Sequence, residues 1–155
     1  MAKFSFSELL LDGIVQTARI HDTAADALTA NDVGKFLKMT GDSQYGLCAD
    51  GDPIEATLST HGYPVGTYDG FVLGGIRKGG RARVKCSVAL NIGDFVVAAA
   101  PVARGTAVTD YPSVKKESTV SAFRWRVVSL DGAAGVGQIA TIECVTGAGT
   151  GVAAA

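Results

Sequence analysis

The sequence predicts an all-β protein: a small barrel or sandwich of antiparallel strands with an N-terminal arm that contains a short helical turn. Three observations predict it. Glycine supplies 20 of 155 residues, about twice the usual share. Apolar runs are short and rich in β-branched and aromatic residues, as in Ile54-Glu55-Ala56-Thr57-Leu58-Ser59-Thr60, where alternation marks a half-buried strand. Gly, Asp and Pro clusters such as Asp50-Gly51-Asp52-Pro53 separate the runs as turns.

Composition narrows the function classes. The chain is 47% hydrophobic and 19% charged with a formal net charge of -1, a balance opposite to that of disordered chains. A neutral chain lacks the Lys and Arg surplus on which phosphate binding rests, so no nucleic acid partner is expected. No run approaches the ~18 apolar residues of a membrane helix, and Glu8 and Asp12 interrupt the leucines near the N-terminus, so neither membrane nor export signal is expected. Cys48, Cys86 and Cys144 form an odd set without close pairs, which points to a reduced cytoplasmic folding environment.

Taken in order, residues 1–31 read as an arm. Ser5-Phe6-Ser7-Glu8 has capping-box spacing with Gly13 as a stop, and Thr23-Ala24-Ala25-Asp26 is a second capping-like start. Between them Ile14 to Ile20 is β-branched and reads as a strand. The β domain spans 32–145. Val33 to Met39, Tyr45 to Cys48, Ile54 to Thr60 and Phe71 to Arg77 are its first strands. Gly79-Gly80 then predicts a hairpin turn into Arg81 to Leu90, with Ala82, Val84, Cys86 and Val88 on one face. Phe95 to Ala99 reads as a central strand, and Phe123 to Leu130 pairs across a longer loop with Gln138 to Val145. Phe123, Trp125 and Val127 share a face there, opposite Arg124 and Arg126. Residues 146–155 lack bulky side chains and read as a flexible C-terminal tail.

One internal echo stands out. Val33-Gly34-Lys35-Phe36-Leu37 and Ile92-Gly93-Asp94-Phe95-Val96 share a branched residue, glycine, charged residue, phenylalanine and aliphatic. Each glycine lets the chain turn into a strand whose Phe is expected to point inward. Two related β units, or two similar turns into strands, both account for the pattern.

Candidate chemistry is sparse. Cys48 with His61 or His21 is the first catalytic option, yet Asp50 and Asp52 beside it would raise the thiol pKa, and a buried structural cysteine is the simpler reading. Asp50-Gly51-Asp52 is a fragment of a calcium loop without its remaining ligands, and reads as a turn. Gly74-Gly75-Ile76-Arg77-Lys78-Gly79-Gly80-Arg81 is glycine-rich and cationic but runs into a strand, where a phosphate loop needs a helix. An exposed basic hairpin that meets an acidic partner surface, or is simply solvated, fits Arg77, Lys78 and Arg81. Lys38 is similar to the lysine of biotin-carrier hairpins but stands within a strand, facing outward. No catalytic residue, metal ligand or cofactor site is assigned.

The succession Asp32 to Met39, Ala49 to Ala56, Gly70 to Gly75 and Asn91 to Val97 resembles the capsid decoration, or cement, proteins of tailed bacteriophages, over about residues 28–145. Their Gly-Asp-x-Val element matches Gly93-Asp94-Phe95-Val96. The resemblance implies a non-enzymatic virion protein on the capsid exterior, assembled in the host cytoplasm. It would be a homotrimer that clamps neighbouring major capsid protein subunits. Phe4, Phe6, Leu9, Leu10 and Leu11 are then arm residues that anchor on a neighbour, or pack on the protein's own barrel. Two other classes remain open: a β-rich adaptor or carbohydrate-binding module using Trp125, Tyr63, Tyr68 or Tyr111, and a small hydrolase using Cys48 or a carboxylate pair.

Overall fold

The computed structural model describes residues 14–23, 26–62, 72–120 and 124–145. Its strands form two closed five-stranded barrels. The first contains β1 (Ile14–Ile20), β2 (Phe36–Gly41), β3 (Gln44–Leu47), β4 (Ala56–His61) and β5 (Leu73–Lys78). The second contains β6 (Arg81–Cys86), β7 (Phe95–Ala99), β8 (Ser113–Lys116), β9 (Trp125–Asp131) and β10 (Ile139–Cys144). Closure removes the unpaired strand edges of an open sheet.

The barrels repeat one topology. β1 runs parallel to β3 and antiparallel to β5, and β6 stands in the same relation to β8 and β10. Arg19 and Ile20 lie opposite Gln44 and Tyr45, as Lys85 and Cys86 lie opposite Ser113 and Val114. Both barrels carry a bulge at the same point of the next hairpin, around Ser59 in β4 and Val128 in β9. Gly34 and Gly93 both have φ near +90°, and their N–H groups donate over 2.8 Å to the carbonyls of Leu58 and Val127. The echo therefore marks corresponding positions of two related β units. Their cores correspond as well: Ala18, Ile20, Leu37, Tyr45, Leu58 and Ile76 are buried in the first, Val84, Cys86, Val96, Val114, Val127 and Ile142 in the second.

Several expectations need correction. Gly79 and Gly80 both have positive φ, but β5 and β6 do not pair with each other: each closes a different barrel, so the Gly-Gly turn is the junction between them. β6 ends at Cys86 rather than Leu90, because Ser87 bends towards β8 and donates from both N–H and Oγ to the Val114 carbonyl. Val88 is exposed. In both barrels the residue after the Phe points into the barrel, Leu37 and Val96, since alternate strand residues face opposite sides. Phe36 instead packs in the cluster shared with the second barrel.

Residues 14–23 and 26–31 are built into the first barrel: β1 is one of its strands and Leu28 belongs to its core. The helical turn lies at Ala30–Asp32, as a single turn of 3-10 helix, while Thr23 and Asp26 are joined by side-chain hydrogen bonds. Ile54, Ala56 and Leu58 are buried as their alternation predicts, Ala56 and Leu58 in the first barrel's core and Ile54 in the cluster shared with the second barrel. The β9–β10 hairpin also forms as expected, with Trp125 and Val127 buried and Arg126 exposed. The expected helical turn at Ser5 to Glu8, the tail 146–155 and Phe123 lie outside the described residues.

Candidate functional site

The seam between the barrels gathers most of the polar chemistry. Asp32 and Lys35 flank the Val33-Gly34 turn, and the turn sets their side chains 2.6 Å apart with exposures of 0% and 5%. The segment between β7 and β8 closes over them: Gly105 N–H donates to Asp32 Oδ1, and Lys35 Nζ donates to the Ala103 carbonyl. Thr29 donates to Asp32 Oδ2 from both N–H and Oγ1. Burial pushes the Asp32 carboxyl up, but these hydrogen bonds outweigh it and hold the group below the usual aspartate range. A buried pair with its remaining donors and acceptors satisfied holds one geometry, whereas a half-satisfied one is costly.

Two further ties cross the seam. Trp125 occupies in the second barrel the position that Ala56 holds in the first, and its indole N–H donates over 2.9 Å to the Ile54 carbonyl. The Asp50-Gly51-Asp52 turn lies against the end of β7. Gly51 N–H donates to the Ala98 carbonyl, Ala98 N–H to the Asp52 carbonyl, and Ala100 N–H to Asp50 Oδ1. Lys115 Nζ lies 2.6 Å from Asp50 Oδ2 and lowers its carboxyl pKa. Phe36, Cys48 and Ile54 of the first barrel share one cluster with the second barrel's core. The crevice between Phe36, Cys48 and Ala98–Val102 measures about 40 Å³, room for water but not for a substrate.

The residues read as chemical candidates take scaffold roles. Cys48 is 4% exposed, and its thiol is pushed up to about 12, first by burial and then by Asp52. Asp50 is turned away onto Lys115. His21 is buried, and its Nε2 accepts from Val72 N–H. His61 Nε2 lies 2.9 Å from the Leu28 carbonyl. Neither histidine meets Cys48 in these hydrogen bonds. Asp52 accepts from Ala49 N–H and pairs with Lys38, whose pKa it raises. Among the described residues no three His, Cys, Asp or Glu side chains converge as a metal site. No helix among them is long and apolar enough to cross a membrane.

Gly74 and Gly75 serve packing rather than a phosphate. A Cβ on Gly75 would stand 2.4 Å from Thr60 Oγ1, and one on Gly74 2.7 Å from Ile20 Cδ1. Arg77 donates to the Arg81 carbonyl, Lys78 Nζ lies 5.1 Å from the Tyr45 ring centroid, and Arg81 pairs with Glu143 at 3.4 Å. These three cations thus stand together at the junction of the barrels.

Trp125 is 1% exposed and cannot present a sugar platform, which corrects that expectation. Tyr111 is 38% exposed with the Arg83 guanidinium 5.7 Å from its ring. Phe4, Phe6, Leu9, Leu10, Leu11, Tyr63 and Tyr68 lie outside the described residues.

Sequence reading missed the Asp32–Lys35 pair, whose i,i+3 spacing was the available signal. It also missed Arg124, whose guanidinium lies 3.5 Å from the Phe95 ring centroid and pairs with Glu117. No protein-family model, no curated protein and no solved structure matches the chain.

Proposed function

We propose that this chain is a structural virion protein of a tailed bacteriophage, one that binds the outside of the head as a homotrimer and stabilises contacts between major capsid protein subunits. The observation that carries the reading is the seam. Two barrels are held in one orientation by a buried ion pair, an indole hydrogen bond and a shared apolar cluster. The thiol, imidazoles and carboxylates that chemistry would need are tied into that scaffold. A clamp needs a body that transmits force without deforming, and close-packed interiors have that property. Near-neutral charge adds support, because many like-charged copies side by side would repel.

In this reading Phe4, Phe6, Leu9, Leu10 and Leu11 anchor on a neighbouring subunit, and Arg77, Lys78 and Arg81 face acidic groups of the shell. The test is to add purified protein to expanded phage heads that lack it and sediment the mixture. Saturable retention in hundreds of copies, with heads that withstand heating better than bare heads, is expected. Protein that stays in the supernatant overturns the proposal.

A further inference from the structure

We propose that copies of this chain associate head to tail, the end of β2 in one copy seating in a depression on the second barrel of the next. The internal seam supplies the template. In the first barrel, Lys35, Phe36, Leu47 and Cys48 form a seat that the end of β7, at Ala98 and Ala99, and the following segment 100–112 close over. The shared register puts Asp94, Phe95, Lys116 and Glu117 at the same four positions of the second barrel. There, among the described residues, the seat is open, a depression of about 190 Å³ lined also by Val120 and Arg124.

The complementary surface is open as well. Ala98, which fills the first seat, corresponds to Met39 in the first barrel. Met39 is 50% exposed and leads into the exposed turn 40–43. The chain therefore has an open seat at one end and an unused plug at the other. Joining two different surfaces gives a heterologous contact that adds copies in one direction and forms a ring where the rotation closes.

Composition fits a contact between separate molecules. Apart from the buried Lys35–Asp32 pair, the internal seat is apolar, as suits a permanent junction. The open seat sets Phe95 beneath Arg124, whose guanidinium pairs with Glu117, with the Lys116–Asp94 pair beside it and Val120 69% exposed. Such an apolar patch within a paired polar rim is soluble alone and still buries apolar surface on association.

The inference deepens the self-association in the proposed function and does not need the shell. Gly51 and Val120 correspond, being three residues beyond Cys48 and Glu117. Met39 of one copy should therefore lie beside Val120 of the next, as Ala98 lies beside Gly51. In a Cys144→Ser background, Met39→Cys protein is mixed with Val120→Cys protein and oxidised. The mixture should form a disulfide-linked pair about tenfold faster than Val15→Cys mixed with Val136→Cys, because contact raises the effective concentration. Neither variant alone should link. Thermal unfolding of each variant checks that it folds.

No excess linkage overturns the contact and leaves the depression as a solvated cap on the terminal repeat. Linkage of Met39→Cys protein with itself overturns it too, since that requires a two-fold contact. Retention on phage heads without linkage removes this contact but not the shell role; linkage without retention removes the shell role but not the contact.

Discussion

Asp32 and Lys35 form an ion pair of 2.6 Å in the first barrel, and the chain that closes over it, through Ala103 and Gly105, belongs to the second. The pair thus couples the folding of the two barrels. Asp32→Ala or Lys35→Met should each destabilise the protein by about 3–5 kcal/mol, because each leaves an uncompensated buried charge, while the double replacement should cost less than the sum. Urea denaturation followed by far-ultraviolet circular dichroism measures this. Two separate transitions in the wild-type protein would contradict the coupling.

The same pair sets an acid limit. Asp32 has a folded-state pKa below its unfolded value of about 3.9. Its stabilisation is therefore complete above that value and lost as pH falls through the folded one. Asp52 shifts the same way: burial raises it, and Lys38 and the Ala49 N–H more than compensate. Denaturation midpoints should hold from neutrality down to about pH 5 and fall below about pH 4. Lys35→Met should flatten that fall, and an unchanged slope would remove Asp32 as its source.

Thiol labelling should separate the cysteines. Cys48 is pushed up to about 12 and Cys86 is raised by burial, while Cys144 is partly exposed. At mildly alkaline pH one thiol per chain should react quickly, and mass spectrometry should place it at Cys144. Cys48 should react only on unfolding. Rapid native labelling of Cys48 would reopen a nucleophilic role for it.

Trp125 is the single tryptophan, so its fluorescence reports the seam directly. Trp125→Phe removes the donor to the Ile54 carbonyl and should cost about 1–3 kcal/mol, the usual penalty of an unsatisfied buried group. Native emission should be blue-shifted and move red on unfolding. A red native maximum would place the indole in water.

The two barrels solve one packing problem with different side-chain sizes. Ile20 faces Gly74 in the first, where the second has Cys86 and Ala140 at the corresponding positions. Gly74→Ala should cost about 1–3 kcal/mol by overpacking, and Ile20→Cys should recover part of it. By contrast Gly34→Ala and Gly93→Ala meet nothing within 4 Å; each should cost about 1–2 kcal/mol through its positive φ alone, by similar amounts. Thermal denaturation of the four variants measures both effects.

Legibility followed the range of the interactions. The strand at Ile54 to Thr60 and the β9–β10 hairpin rest on local alternation and a contiguous turn, and both were readable. β8 was missed because Ser-Val-Lys-Lys has little apolar pattern and is held in part by parallel pairing with distant β6. The Gly79-Gly80 turn was read correctly in φ and wrongly in pairing, since turn chemistry is local and strand partnership is not. At the seam, Cys48 was readable as a buried thiol, but nothing local revealed that Lys35 would be closed over by residues 103–105.

By itself the sequence determined the all-β class, the positive-φ turns and the Val33/Ile92 echo, because alternation and glycine geometry act over a few residues. Only the tertiary structure decided that there are two barrels rather than one, and that Phe36 and Trp125 face a seam. Among the described residues it also left the second seat, at Phe95, open. Those outcomes depend on which distant strands close a ring and which exposed surface the neighbouring barrel covers, neither of which a local pattern encodes.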